Sequence, residues 1–390
     1  MKRNLLFGLA IVSMLFTACS EDDTSDVILN VNNGPTTAPS GSSTISGTFT
    51  SDLTLESGIE YTLNGSLIMT AGTTLNIPAG TTIKALAQGS DVYIAIAQGA
   101  KINALGTAAN PIVLTSNASI PEAGDWGGLI VLGKAPINSV SGTATSTSEI
   151  ASLPYGGTDA NDDSGSIRYM RIEYSGGSAD GQSENNGFSF YGVGNGTLVE
   201  YIQAFEGKDD GIEFFGGTVN VDYVSVVNSQ DDSIDWTEGY TGTITNAYVK
   251  HGTDHDKGIE ADGYNTDIGN NSSPIFWSKP TVNNLTIVGN GSTTGNEAIR
   301  LRAGTQGIFN NISIEGFAEG FDLDGDQGDA PTGAGVISDA LQVTGVLFTD
   351  VTLKMKNDTT YTFTEADFIS GDGTATGTDY ATWGASWTVQ

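Results

Sequence analysis

Acidic residues recur in pairs along the middle of this chain. Asp209-Asp210, Asp231-Asp232 and Asp254-His255-Asp256 begin 22 and 23 residues apart. Each group precedes a short stretch in which an acidic residue sits between apolar ones. These are Gly211-Ile212-Glu213-Phe214, Ser233-Ile234-Asp235-Trp236 and Gly258-Ile259-Glu260-Ala261. Carboxylates so arranged coordinate a hard cation, work as an acid–base pair, or stay solvated in turns. The chain has 1 cysteine and 2 histidines, so oxygen is the abundant ligand and Ca²⁺ is favoured over zinc. The expected ligands are Asp209, Asp210, Asp231, Asp232, Asp254 and Asp256, joined by Asp322, Asp324 and Asp326 in a second acidic turn. That turn begins as D-x-D-x-D but departs from an EF-hand at Gln327 and Gly333. Asp159-Ala160-Asn161-Asp162-Asp163 has similar spacing.

The elements that position these groups are legible as a repeat of apolar, polar, Tyr or Asn, apolar, polar, apolar. It runs through Ile167–Ile172, Val199–Ala204, Val221–Val226, Ile244–Val249, Val282–Ile287 and Phe309–Ile314. Short strands with Gly-rich turns, returning after about 22 residues, mark a β-solenoid. Positions one, four and six should point inward, and two and five outward. Position three reads Tyr169, Tyr201, Tyr223, Asn246, Asn284, Asn311, a stack of rings followed by a ladder of amides. A second strand in each coil should place Glu213, Asp235, Glu260, Arg300 and Asp322 in one outward row. Adjacent coils lie about 4.8 Å apart, where two like charges cost roughly 3 kcal/mol at an effective dielectric near 20. Such a row requires cations, protons, or the neighbouring Lys208, Lys250 and Lys257.

The N-terminus reads as an address. Lys2 and Arg3 precede a short apolar run, Leu5 to Phe16, and Leu15-Phe16-Thr17-Ala18-Cys19 has the form of a lipid-attachment signal. Residues 1–19 are therefore expected to be a lipoprotein signal peptide, with Cys19 lipidated. Residues 20–44, rich in Ser, Thr, Asn, Gly and Pro, read as a flexible tether. Residues 45–345 read as the parallel β-helix, and 346–390 as C-terminal strands forming a cap that covers the last coil. Two longer intervals hold insertions, Ser139 to Gly165 and Tyr264 to Pro280. Loops extruded from one face of a solenoid often bind ligands, and Trp277 and Tyr264 are the stacking residues expected there. The formal net charge of −31 argues against nucleic acid and anionic polysaccharide as partners.

Trp126-Gly127-Gly128-Leu129-Ile130-Val131-Leu132-Gly133, Asp209 to Asn220 and Asp231 to Trp236 resemble a family of Bacteroidetes surface lipoproteins with a right-handed parallel β-helix. Ser20-Glu21-Asp22-Asp23 resembles that group's surface-export signal. The resemblance implies an all-β fold and a lipid-anchored place in the outer membrane. It carries over no catalytic residue. Adhesion, glycan binding or a receptor-accessory role at the cell surface follows as the expected function, with a glycan or an outer-membrane receptor as partner. The alternative is catalytic. Gln230-Asp231-Asp232-Ser233-Ile234 is similar to the paired-aspartate motif of polygalacturonases. That similarity would make Asp232 the general acid and Asp210 and Asp231 the bases, with His251 supporting them and Arg300 holding a uronate. Lys208-Asp209, Lys250 before His251, and Arg302 depart from that family's pattern. A lyase using calcium and a basic residue is a further variant. The sequence favours binding over catalysis.

Overall fold

The computed structural model describes residues 41–138, 145–178, 184–266, 274–294, 296–325 and 332–390. Cys19, most of the expected tether and Asp326 lie outside them. Twenty-two strands form one continuous sheet, and successive coils pair in parallel throughout it. The chain is a parallel β-helix. The other sheet described is a two-stranded antiparallel pair, Ser146–Thr147 with Pro154–Tyr155.

The repeat supplies the core as its pattern implies. Its first positions, Ile167, Val199, Val221, Ile244, Val282 and Phe309, are at most 2% exposed. The fourth and sixth positions are equally buried, from Met170 and Ile172 to Ile312 and Ile314. Register makes these residues neighbours: Ile212 faces Ile234, which faces Ile259, which faces Ile299. Side chains of one type thus stack along the axis, and the apolar ones exclude water.

Position three does more than stack. Pairing skips it: Arg168 faces Glu200 and Met170 faces Ile202, with Tyr169 and Tyr201 between. From Tyr169 to Asn311 all six of these residues have left-handed backbone, with φ from 47° to 59°. They form the corner at which one strand bends onto the next face. In earlier coils two separate strands do this, since Lys101–Leu105 and Ile112–Ser116 both pair with Gly165–Glu173. Asparagine tolerates left-handed φ well. Its amide is also used: Asn284 Nδ2 donates to Asn246 Oδ1 at 3.0 Å, and Asn311 Nδ2 donates to Asn284 Oδ1 at 2.8 Å. Tyrosine gains from stacking instead, with centroids 4.2 Å apart from Tyr169 to Tyr201 and from Tyr201 to Tyr223.

The C-terminal segment forms the expected cap in part, and its last residues take another path. Leu341–Asn357 adds one more coil. Phe368 and Ile369 close the core beyond it, with Phe368 edge-on to Phe321 at 5.3 Å. Trp383 and Trp387 do not join them. The tail runs back along the flank, where Trp387 meets Tyr169 and Tyr201 and Trp383 meets Tyr223. Gln203, at an outward position of the repeat, is buried there and exchanges two hydrogen bonds with Val389. The stacked tyrosines are an apolar surface outside the core, and the tail partly shields it from water.

The ladder and the corner are separable by mutation. Asn284→Gly keeps the left-handed bend and loses the amide bonds, at about 0.5–1.5 kcal/mol each. Asn284→Ala should lose about 1–2 kcal/mol more, because its Cβ opposes left-handed φ. Chemical denaturation of the two variants checks the order.

Candidate functional site

The second strand of each coil builds the site. Phe188–Tyr191, Ile212–Phe215, Ile234–Thr237, Ile259–Asp262 and Glu297–Arg302 pair in sequence. Glu213 faces Asp235, Asp235 faces Glu260, Glu260 faces Arg300, and Arg300 faces Asp322. The expected row exists and is partly shielded from solvent, with Glu213, Asp235 and Arg300 half-buried. Glu260 is 8% exposed and Asp322 is 5% exposed. The first insertion shields the neighbouring surface of this sheet. Its Ile150 and Tyr155, together with Ile137, pack on Ile130, Leu132, Tyr191 and Phe215 as a second apolar cluster outside the main core. Tyr155 also donates to the buried Glu238 at 2.7 Å.

The aspartate pairs in the preceding turns act first on the backbone. Asp210 Oδ1 accepts from the Asp232 amide at 3.0 Å, and Asp232 Oδ1 accepts from the Lys257 amide at 2.7 Å. Each carboxylate therefore caps the turn of the next coil. The groups also converge. Asp210, Asp231 and Asp232 each place an oxygen within 4.8 Å of the others. The same holds for Asp210, Glu213 and Asp235, for Asp232, Asp235 and Glu260, and for Glu184, Asp209 and Asp231. Oxygens about 2.3–2.6 Å from a shared calcium ion satisfy that limit.

Positive charge covers only one end of this array. Lys257 Nζ lies 3.1 Å from Glu260 and 3.8 Å from Asp232, and it pairs with Asp256. Arg302 holds Glu260 and Asp262, and Arg300 holds Asp324. Among the described residues no lysine or arginine forms a salt bridge with Asp209, Asp210, Glu213, Asp231 or Asp235. Asp235 keeps a buried Oδ1 with no hydrogen-bond partner. Burial and then the charges of Glu184 and Asp231 push Asp209 up to about 8. Burial, followed by Asp209, raises Asp210 well above the usual carboxylate range. Glu213 is raised by burial and Asp235, and Asp235 by burial and Glu260. Without a cation Asp209 holds a proton at neutral pH, and the same causes favour the protonated form of its neighbours.

Other expected ligands fall elsewhere. Asp254 is exposed, and Asp256 is taken by Lys257. Asp322 pairs with Lys356 and Asp324 with Arg300. Asp163 pairs with Lys101, while Asp162 accepts from Ser164. None of these joins a converging group among the described residues. The catalytic alternative is divided: Asp210, Asp231 and Asp232 meet, but His251 packs against His255 and Phe317, and Arg300 is engaged by Glu260 and Asp324. Trp236 is fully buried beneath the row. Trp277 and Tyr264 are half-buried, and the Trp277 indole nitrogen is out of reach of solvent. Glu184 is the member of these converging groups that sequence spacing missed. It comes from a loop outside the repeat, and no period announces it.

A parallel β-helix with an acidic row along one face is the class defined by this fold. The family model described as pectate-lyase like beta helix domain matches residues 47–388, and the chain belongs to that family. No curated protein matches the chain significantly. Among the described residues, no helix is long and apolar enough to cross a membrane.

The raised carboxyls set a sign for pH dependence. Each binds more protons folded than unfolded, so stability falls as pH rises above the unfolded value near 4. For Asp209 the loss is complete only above about 8. Glu238, raised to about 7, and Asp322, raised to about 6, add to it over narrower windows. In chelator, the melting temperature should drop steadily from pH 5 to pH 8. A flat or rising profile in calorimetry contradicts the geometry.

Proposed function

We propose that this protein is a lipid-anchored surface β-helix that binds a carbohydrate ligand without cleaving it, with Ca²⁺ organising its acidic row. The convergence of Asp210, Glu213, Asp231, Asp232 and Asp235, among which only Asp232 forms a salt bridge, with Lys257, carries the calcium assignment. Oxygen ligands and high negative charge suit a hard divalent ion. Membership of a pectate-lyase-like family supports a carbohydrate-related ligand. The Cys19 motif and the acidic residues after it support anchoring and export to the cell surface. An adhesin or a receptor-accessory protein fits that placement.

Carboxylate spacing argues against the inverting hydrolysis that the polygalacturonase-like motif would require. Inverting glycosidases hold their carboxyls about 6.5–9.5 Å apart, with room for water on the far side of the sugar. Here the oxygens crowd within 4.8 Å. Asp210 and Asp232 also accept one backbone amide hydrogen bond each, which orients their carboxyls and supports a ligand role.

Calcium at a hundred times its dissociation constant should stabilise the mature protein by about 2.7 kcal/mol. Asp210→Asn should remove most of that gain and leave the metal-free protein as stable as the parent or more so, since it relieves repulsion. Thermal melting with chelator and with calcium reads both. An unchanged midpoint in the parent removes the ion. A glycan array probed with and without calcium then tests the ligand class, and reducing-sugar release from polygalacturonate should be absent.

A further inference from the structure

Position five of the repeat points outward and reads Arg171, Gln203, Ser225, Tyr248, Thr286, Ser313. Register stacks these residues in that order along the axis. The C-terminal tail meets the row almost residue by residue. It starts against Ser313 and Thr286, where Gly377 has φ 65° and a Cβ would collide with Thr286 Oγ1. The Thr376 and Gly377 amides donate to Asn311 Oδ1 at 2.8 and 3.3 Å, and Asn311 Nδ2 donates to the Gly377 carbonyl at 3.0 Å. The Thr378 amide then donates to Thr286 Oγ1 at 3.0 Å. Tyr380 stacks on Tyr248 with centroids 3.8 Å apart and planes inclined by 4°. Its hydroxyl shares a 3.2 Å hydrogen bond with Ser225. Farther on, Arg171 donates to the Trp387 carbonyl at 2.7 Å, and Val389 holds Gln203.

In a solenoid each coil touches only its neighbours, so coils can open one after another from an end. The tail breaks that rule, because one continuous segment touches every coil from that of Ser313 to that of Arg171. The fit is close: Gln203 and Ser225 point outward in the repeat yet are fully buried, and Trp387 is 1% exposed. Opening any of these coils detaches part of the tail. Detaching the tail uncovers the rings of Tyr169, Tyr201 and Tyr223 against which Trp387 and Trp383 lie. Among the described residues, no hydrogen bond or ring contact joins the tail to the strands before Gly165.

We propose that residues 374–390 act as a strap that locks the coils from Arg171 to Ser313 into one opening unit and leaves the earlier coils outside it. The inference needs neither an ion nor a ligand. A strap differs from a local cover in what it does at a distance: loosening it at one end weakens the coils at the other.

Hydrogen exchange on the full mature chain, in the parent and in Trp387→Ala, tests this. Trp387 touches the repeat at Tyr169 and Tyr201, one end of the strapped coils. Loss of so buried a ring should speed exchange about tenfold or more. The change should reach Thr281–Val288 as well as Gly165–Glu173, while Thr74–Ile77 and Thr82–Ala85 keep the parent's rates. Gly377→Ala, which lifts the tail at the opposite end, should give the same pattern and carries the test if Trp387→Ala does not fold. A change confined to the strands beside the substituted residue would reduce the tail to a local cover and overturn the strap. An equal change in the early strands would overturn it too, since the whole solenoid would then open together, as would no change at all.

Discussion

In-register parallel pairing is the constraint on which this molecule rests. A residue at a given position of one coil meets its equivalent about 4.8 Å away in the next. Every favourable choice is thereby repeated, and so is every unfavourable one. Isoleucine on isoleucine builds the core. Asparagine on asparagine closes amide bonds from Asn246 to Asn311. Tyrosine on tyrosine stacks from Tyr169 to Tyr223. Carboxylate on carboxylate is the case in which register works against the fold.

The molecule resolves that conflict differently along the row. From Glu260 onward, Lys257, Arg300, Arg302 and Lys356 interleave with the acids. Before it, burial and mutual repulsion raise the carboxyls and no salt bridge relieves them among the described residues. Asp210, and Asp232 beside it, cap turns, so they are part of the fold and not solvated ornaments of a loop. The proposed cation would offset charges that protons alone balance only at a cost in stability as pH rises.

Sequence made the repeat legible because its inward positions are chemically distinct from its outward ones. Alternation placed Trp236 in the core and Glu213, Asp235 and Glu260 in one row, and the 22-residue interval placed Asp210 beside Asp232. Less visible was whatever depends on distant chain. The left-handed corner at position three is hidden because tyrosine there gives no sign of positive φ. The second apolar cluster beside the row escapes notice because Ile150 and Tyr155 come from an insertion without apolar period. Glu184 lies outside the repeat, and the path of Trp383 and Trp387 is set by an aromatic surface that exists only once the coils have stacked. Each of these is a tertiary contact with no local signature.

Anomalous diffraction from crystals grown with Mn²⁺ or a lanthanide in place of calcium tests the central claim most directly. A peak bonded to oxygens of Asp210, Glu213 and Asp235, or of Asp232, Asp235 and Glu260, is the predicted result. Well-ordered carboxyls paired to one another through shared protons, with no peak between them at saturating ion and neutral pH, would contradict it.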